Sequence, residues 1–120
     1  MDAPTDIRLR RGSRTLEVAF EGEEPLILPF EHLRVHSPSA EVQGHGPGQE
    51  TLQVGKRDVG VESLEPVGNY ALKIRFDDGH DTGLYTWDYL HELGTRRAEL
   101  WTRYLDKLRA AGHDHPELGS

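Results

Sequence analysis

Three histidines in this sequence lie near other residues that could help them to hold a metal ion. His36 precedes a Ser-Pro-Ser segment, His45 lies in the glycine-rich stretch 44–48, and His80 follows an Asp-Asp-Gly turn signal at 77–79. Imidazole and carboxylate ligands suit zinc or ferrous iron. The three histidines are therefore candidate metal ligands, although their spacing matches no known metal signature. The carboxylate would come from Asp77, Asp78 or Asp81.

A structural role is the favoured interpretation of each histidine. His80 belongs to a turn, where a stabilising hydrogen bond is the ordinary use of a polar side chain. His32 and His36 would share one face of a helix, but two ligands make only half a site, so we expect them to be surface histidines. We therefore predict no metal and no other cofactor, with zinc or iron at His36, His45 and His80 as the alternative.

No pattern in the sequence predicts catalysis. A serine nucleophile of the elbow type needs a characteristic glycine context, and no serine here has one. The neighbouring carboxylates of Asp77 and Asp78 are typical of side chains that cap a turn. The stretch 44–48 is not a phosphate loop, because Pro47 removes an amide and no helix is predicted to follow. We predict that the chain is not an enzyme.

The charge balance argues against nucleic acid as a partner. The 120 residues include 21 acidic and 14 basic side chains, which gives a net charge of -7. Phosphate backbones repel such a surface. A group of arginines near the N-terminus is expected to be a solvated face; these are Arg8, Arg10, Arg11 and Arg14.

The sequence contains no cysteine. Disulfides, thiolate zinc sites, cysteine nucleophiles and iron–sulfur ligation by this chain alone are therefore excluded. Residues 1–6 hold no apolar stretch of the kind found in secretory signals. No run approaches the roughly 18 apolar residues needed to span a bilayer, so we expect no membrane association and a cytoplasmic location.

Alternating apolar side chains predict five strands, at 7–11, 15–20, 59–67, 70–76 and 82–85. The first two should form a hairpin around Gly12 and Ser13. The fourth is the clearest, and its apolar face is predicted to comprise Tyr70, Leu72, Ile74 and Phe76.

Three helices are predicted, at 30–36, 87–93 and 96–111. Pro29 suits the start of the first, Thr86 or Asp88 caps the second, and Thr95 caps the third. Gly94 is expected to end the second helix. Trp101, Tyr104, Leu105 and Leu108 follow the spacing of one buried stripe.

Segment 37–57 is predicted to be a long loop with a short strand at 51–54. It holds four glycines and two prolines, and only Val42, Leu52 and Val54 are suited to burial. Loops of this length in a small domain tend to be functional or mobile.

Two groups of short motifs resemble one protein family. Leu33-Arg34 is followed by the run Ser37 to Glu41 (Ser-Pro-Ser-Ala-Glu), and Asp78-Gly79-His80 is followed by Gly83-Leu84-Tyr85. In this order the motifs resemble the γ-butyrobetaine-hydroxylase-like N-terminal domain, especially its small stand-alone bacterial members of unknown function. The resemblance covers residues 7–109.

The resemblance implies a module without catalytic activity. In the carnitine-pathway dioxygenases, such a module precedes a jelly-roll domain that holds iron and 2-oxoglutarate. This chain ends before such a domain could begin, so we expect no hydroxylase activity.

The resemblance also bears on metals. Those enzymes hold zinc in the module through three cysteines after the Leu-Arg pair and one histidine in the Asp-Gly-His turn. Only His80 matches here, which implies that the zinc site is lost. Similar domains are fused to P-loop ATPases that carry iron–sulfur clusters. By analogy, a metal-handling accessory role in iron–sulfur assembly is the alternative function.

We therefore predict a single α+β domain, residues 1–112, with residues 113–120 as a flexible tail. A small, mostly antiparallel sheet should pack against C-terminal helices, with Trp87, Trp101, Tyr104 and Leu105 in the core. The predicted function is that of a binding or adaptor module for a protein partner. Its contact surface is predicted at residues 34–48 and 78–81, and comprises Arg34, Ser37, Ser39, Glu41, His45, Asp78 and His80.

Overall fold

This computed structural model describes residues 1–118. They contain six β-strands and four α-helices. In chain order the elements are β1 (Asp6–Arg10), β2 (Thr15–Ala19), β3 (Leu26–Pro29), α1 (Phe30–Val35), α2 (Ala40–Gln43), β4 (Val61–Val67), β5 (Ala71–Phe76), β6 (Leu84–Thr86), α3 (Trp87–Thr95), α4 (Arg97–Ala110) and a 3₁₀ helix (Pro116–Leu118). The predicted α+β class is confirmed, but the strands form two sheets of three instead of one.

The first sheet has the order β1-β2-β3, with both pairs antiparallel. The predicted hairpin is confirmed, since Ile7 pairs with Val18 and Leu9 pairs with Leu16. Alternation along β2 buries Leu16 and Val18 completely. The sequence predicts no strand at β3, because four residues that end in proline carry too little alternation. These residues form a strand because they pair with β2.

The second sheet has the order β4-β5-β6 and is also antiparallel. Leu72, Ile74 and Phe76 are buried as predicted, but the prediction is wrong for Tyr70, which precedes the strand and is 55% exposed. The register of β4 shifts between Val61 and Ser63. That irregularity explains why the sequence pattern of this strand is imperfect.

Two N-terminal arginines connect the sheets. The Arg11 guanidinium donates to the carbonyl oxygens of Val61 and Glu62, and the Arg14 guanidinium donates to that of Val59. Both arginines keep exposed surface, as expected for a solvated face. They also fasten the β1–β2 hairpin to the start of β4.

One apolar core lies between the two sheets and helices α1 and α3. Each large apolar side chain buried there contributes roughly 1.5–3 kcal/mol of transfer free energy. Its innermost members are Leu16, Val18, Leu28, Leu33, Leu72, Ile74, Phe76, Tyr85, Leu90 and Leu93. Trp87 belongs to this core as predicted.

The boundary between α3 and α4 differs from the prediction. Thr86 does cap α3, since its hydroxyl accepts from the Tyr89 amide at 3.2 Å. Gly94 does not end the helix, which continues to Thr95. A Cβ atom on Gly94 would lie 2.7 Å from the Leu26 side chain, so this glycine serves close packing of α3 on β3. Thr95 does not cap α4 either; its hydroxyl donates back to the carbonyl of His91 at 2.9 Å.

A second, smaller apolar cluster lies between α1 and α4. Val35, Tyr104 and Leu108 are its buried members, and Trp101 and Leu105 pack against it while only partly buried. The stripe predicted for α4 is thus correct in position. The stripe faces this second cluster and not the main core.

The C-terminal segment up to residue 118 lies against this second cluster. His115 is 9% exposed, and its Nε2 lies 2.9 Å from a carboxylate oxygen of Glu31. Leu118 packs on the same cluster. The mobility predicted for 113–120 and the domain boundary at 112 stay predictions, and residues 119–120 lie outside the described residues.

The loop predicted at 37–57 contains one helical turn, α2, that the sequence pattern did not indicate. Ser39 caps it, because the Ser39 hydroxyl accepts from the Glu41 amide at 3.2 Å. The predicted strand at 51–54 is wrong, since that segment pairs with no strand of the described chain. Within residues 1–118, no helix has both the length and the apolar character needed to cross a bilayer.

Candidate functional site

A chain of side-chain hydrogen bonds joins Ser37, His80 and Glu41. The Ser37 Oγ lies 2.8 Å from Nε2 of His80, and Nδ1 of the same ring lies 3.2 Å from a carboxylate oxygen of Glu41. A carboxylate can only accept, so Nδ1 carries the imidazole proton and Nε2 accepts from the serine hydroxyl. Burial, together with the positive charge of Arg34, lowers the pKa of His80 below its ordinary value. The ring is therefore neutral near pH 7.

The backbone on both sides of these contacts is held in place by further polar bonds. The Ser39 hydroxyl lies 2.7 Å from that of Thr82, and the Ser39 amide donates to Ser37 Oγ at 3.3 Å. The Gln43 side-chain amide donates to the carbonyl oxygen of Ser37 at 2.8 Å. The loop after α1 and the segment before β6 are thereby tied together over several residues.

Gly83 lets these two segments approach closely. A Cβ atom at this position would lie 3.2 Å from Cδ of Pro38 and still closer to the Ser37 hydroxyl. Any larger residue would push the loop away from the strand. Glycine at 83 is thus a condition for the Ser37–His80 bond.

Arg34 links the same loop to the turn before His80. Its Nε donates to Oδ2 of Asp78 at 2.9 Å and its Nη1 to Oε1 of Gln53 at 3.1 Å, while the guanidinium lies 6.0 Å from the centre of the Phe76 ring. Only 7% of the Arg34 side chain is exposed. Lys56 Nζ lies 2.8 Å from the same Asp78 oxygen, so this carboxylate balances two cations.

The environment of Asp78 favours its charged form. Burial acts to raise the pKa of this carboxyl, but hydrogen bonds from Lys56, the His80 amide and Arg34 outweigh it and lower the pKa to about 2. Asp78 is therefore ionised throughout the physiological range. We call the set of side chains described here the polar knot: Arg34, Ser37, Ser39, Glu41, Asp78, His80 and Thr82.

Two tyrosines fix the C-terminal end of α1, from which the polar knot begins. The Tyr85 hydroxyl donates to the carbonyl of Leu33, and the Tyr89 hydroxyl donates to that of His36, each at 2.5 Å. Burial raises the pKa of Tyr85, and burial together with the Glu92 charge raises that of Tyr89 to about 12. Both phenols stay protonated and act as donors.

The structure brings six of the seven predicted site residues together and leaves His45 apart, exposed in the loop after α2. Four side chains of the polar knot point into the fold: Arg34, Ser37, Ser39 and His80 are each at most 6% exposed. The Glu41 side chain is 66% exposed. The partner-binding role of these seven residues stays a prediction, and Glu41, His45 and, in part, Asp78 are the members that solvent reaches.

The order Ser37–His80–Glu41 has the hydrogen-bond pattern of a Ser–His–acid triad, in which Nε2 faces the serine and Nδ1 faces the acid. Sequence reasoning missed this chain of contacts. The signal that indicates it is the pairing of the two family-like motifs that contain Ser37 and His80. Ser37 has no exposed surface, so no substrate carbonyl can reach its hydroxyl in this structure. The arrangement is suited to holding the loop.

The zinc site implied by the resemblance does not fit these residues. Both ring nitrogens of His80 are engaged, and the hydroxyls of Ser37 and Ser39 are neutral, unlike the thiolates that bind zinc strongly. Nowhere in residues 1–118 do three His, Asp or Glu side chains form a group that could hold an ion. The alternative set of His36, His45 and His80 is not assembled. That the chain has no cofactor stays a prediction.

The expectation of surface histidines on α1 is wrong for His32, which is 1% exposed. Its Nε2 lies 2.9 Å from the carbonyl of Leu93, while its Nδ1 is the one buried side-chain polar atom of the described chain without a hydrogen-bond partner. Burial, with a smaller effect of His36, lowers the pKa of His32 to about 4. His36 is partly buried, with Nδ1 2.9 Å from the carbonyl of His32.

Comparison with protein families identifies the scaffold. Residues 7–91 match the family model described as gamma-butyrobetaine hydroxylase-like, N-terminal. This chain belongs to that family. The match confirms the resemblance inferred from the motifs around Leu33-Arg34 and Asp78-Gly79-His80. Both halves of the polar knot lie inside the matched range.

Solved structures of members similar to this one share its fold. A protein solved by NMR in solution is 55% identical, with 95% of this chain and 90% of that chain covered and a TM-score of 0.82. A second NMR structure is 46% identical over 96% and 86% of the two chains, with a TM-score of 0.81. A crystal structure of a protein of unknown function from Acidithiobacillus ferrooxidans ATCC 23270, placed in the DUF971 family, is 41% identical over 76% and 91%, with a TM-score of 0.63.

The comparison with curated proteins found no match to this chain. The family match is to the N-terminal module of the hydroxylase-like proteins. The comparisons thus establish family and fold.

Proposed function

We propose that this protein is a non-catalytic binding module that recognises a protein partner. Its contact surface would be the segment from Glu41 to Gly48 beside the turn at 78–81. The observation that carries the proposal is the polar knot. Inside the fold, the Ser37 hydroxyl is paired with His80 and the Ser39 hydroxyl with Thr82, and the loop that they anchor presents Glu41 and His45 to solvent.

The loop is closed on itself, which supports a preformed surface. The Thr51 amide donates to the Val42 carbonyl at 2.8 Å, and the Gln49 amide donates to that of Gly46 at 3.1 Å. Gly44 has a φ of +72°, and a Cβ atom there would lie 2.7 Å from the carbonyl carbon of Gln49. A loop held in one shape loses little conformational entropy on binding, which favours recognition by shape and contact.

The chemistry of the buried groups supports a structural role for them. Ser37 is inaccessible, and the buried His80 imidazole has both ring nitrogens engaged, so neither is placed to attack a substrate. The proposal includes the cytoplasmic location expected from the sequence.

Photo-crosslinking in the native cell tests the proposal. A photoreactive amino acid placed at position 45 should capture one major protein. Glu41→Lys should abolish that capture in a protein that still folds. Its melting temperature should fall only modestly, because the substitution removes the acceptor of His80 Nδ1 although most of the Glu41 side chain is exposed. Glu24→Lys makes the same charge change in the exposed turn between β2 and β3, and should leave capture unaffected. Equal capture by the Glu41 and Glu24 variants would refute the proposed surface.

A further inference from the structure

A groove of about 290 Å³ lies between helix α4 and the segment 42–53. Its apolar lining includes Val35, Val42, Leu52 and Leu100. On the α4 side it is flanked by Arg103 and Lys107. The groove adjoins the proposed contact loop, because Val42 and Gln43 of α2 form part of its wall and Glu41 precedes them.

A second cavity of about 420 Å³ continues along the same helix. Tyr104 lines both cavities, and Leu108 and Pro116 supply apolar surface to the second. Two further cations, Lys56 and Arg57, line this part. The two cavities thus follow α4 from Leu100 to Leu108, a rise of about 12 Å, which matches three to four residues of an extended peptide.

The charge along this groove is opposite to that of the whole chain. The chain has a net charge of -7, whereas the two cavities are lined by four cations and only two carboxylates, Glu50 and Asp114. Lys56 is paired with Asp78 and Arg103 with Glu99. Among residues 1–118, Lys107 and Arg57 form no ion pair, so their charges are available to a ligand.

The positive charge beside the groove also affects the pKa of a histidine that lines it. His36 lines it, and burial, with a further contribution from Lys107, lowers the pKa of this imidazole below its ordinary value. The charge of Lys107 therefore reaches into the groove. The same positive charge that disfavours protonation of His36 would attract an anionic group placed there.

The other wall offers backbone groups. The sequence favours a strand at 51–54, but this segment is unpaired in the described chain, and Thr51 is its only residue whose amide donates to another backbone carbonyl. Tyr104 holds the wall in place, since its hydroxyl donates to the carbonyl of Gln53 at 2.7 Å. Backbone amides without a partner, as at 52–54 of this segment, are suited to pairing with an extended peptide.

We propose that this groove binds an extended acidic segment of a partner protein, with at least one apolar side chain of that segment placed against Leu52 and Leu100 and its carboxylates facing Arg103 and Lys107. The inference rests on the proposed function, and it names the chemistry of the partner at that site.

Selection from a phage-displayed library of random peptides tests it, with the whole chain as bait. Selected peptides should be acidic with an apolar residue, and a synthetic copy should bind in fluorescence anisotropy more weakly as salt is raised. Arg103→Glu combined with Lys107→Glu should weaken that binding at least about tenfold. Arg109→Glu, an exposed change on the same helix outside both cavities, should leave it within about twofold.

Lys107→Glu alone serves as a second variant, because Lys107 has no ion-pair partner to lose. Peptides without acidic bias, or equal binding to wild type and the double variant, would overturn the inference. If no peptide is selected while position 45 still captures a partner that Glu41→Lys loses, the inference fails and the proposed function stands. If no peptide is selected and position 45 captures no partner that Glu41→Lys loses, both proposals fail.

Discussion

Nε2 of His80 lies 2.8 Å from the hydroxyl oxygen of Ser37, although 43 positions separate the two residues in sequence. The contact joins the loop after α1 to the turn after β5, and it occurs where related enzymes are expected to use a metal. A buried, mutually satisfied pair of this kind stabilises mainly because leaving either partner alone is costly. This pair is the centre of the polar knot.

Ser37→Ala should therefore destabilise the fold by about 1–3 kcal/mol, since it leaves Nε2 of His80 buried without a donor. Urea unfolding followed by tryptophan fluorescence measures the change. Ser13→Ala is the matched control, because the Ser13 hydroxyl contacts only Thr15 on an exposed turn. The control should stay within about 0.5 kcal/mol of wild type. Equal effects of the two substitutions would contradict the account.

Arg34→Lys should destabilise the fold nearly as much as Arg34→Ala, by about 1.5–3 kcal/mol, because both variants lose the hydrogen bonds that the buried guanidinium donates. Lysine cannot reproduce the forked contact with Asp78 and Gln53, nor can it place a guanidinium against the Phe76 ring. Thermal unfolding of both variants measures this. Full rescue by lysine would show that only the charge of Arg34 matters.

Acid should weaken the fold in two stages. The pKa of His32 falls from 6.5 to about 4 on folding, chiefly through burial, so the unfolded chain takes up the proton first. Stability should therefore be complete above pH 6.5 and decline as the pH falls towards 4. The carboxyl of Asp78 has a folded pKa of about 2 against an ordinary 3.8, so it adds a second loss as the pH falls from 3.8 towards 2.

Urea midpoints measured from pH 7.5 down to 2.5 record both stages, and Asp78→Asn provides the control. This variant should remove the lower stage and leave the contribution of His32 to the upper stage unchanged. A histidine titration by NMR in which His32 protonates near its ordinary pKa would be incompatible with its buried position.

Elemental analysis of the protein, purified without a histidine tag, should find zinc and iron far below one equivalent. The reason is that both nitrogens of His80 are engaged and the neighbouring donors are hydroxyls. Stoichiometric metal that survives dialysis against EDTA would contradict this and favour the metal-handling alternative.

The sequence predicts the parts of the fold that local periodicity determines. The β1–β2 hairpin, β5, the Asp-Asp-Gly turn and the cap at Thr86 are all present. Elements that depend on distant partners were missed. β3 exists because β2 pairs with it, and Gly94 lies inside α3 because Leu26 packs against it.

The candidate site likewise has features that the sequence predicts and others that depend on distant partners. The two motifs indicate which residues matter, and the structure does place Arg34, Ser37 and Glu41 beside Asp78 and His80. Composition alone could not show that most of these polar side chains are buried, because serine, arginine and histidine are usually exposed. Their burial depends on mutual satisfaction across the chain. That pairing is a tertiary property, and no local pattern records it.

The most direct test of the account is the ¹⁵N NMR spectrum of the His80 imidazole near pH 7, assigned by comparison with Ser37→Ala. The hydrogen bonds predict a neutral ring with the proton on Nδ1 and an unprotonated Nε2, and a spectrum unchanged by EDTA or by added zinc. A proton on Nε2, or a shift of either nitrogen on adding zinc, would contradict the claim that hydrogen bonds, and not a metal ion, join His80 to Ser37 and Glu41.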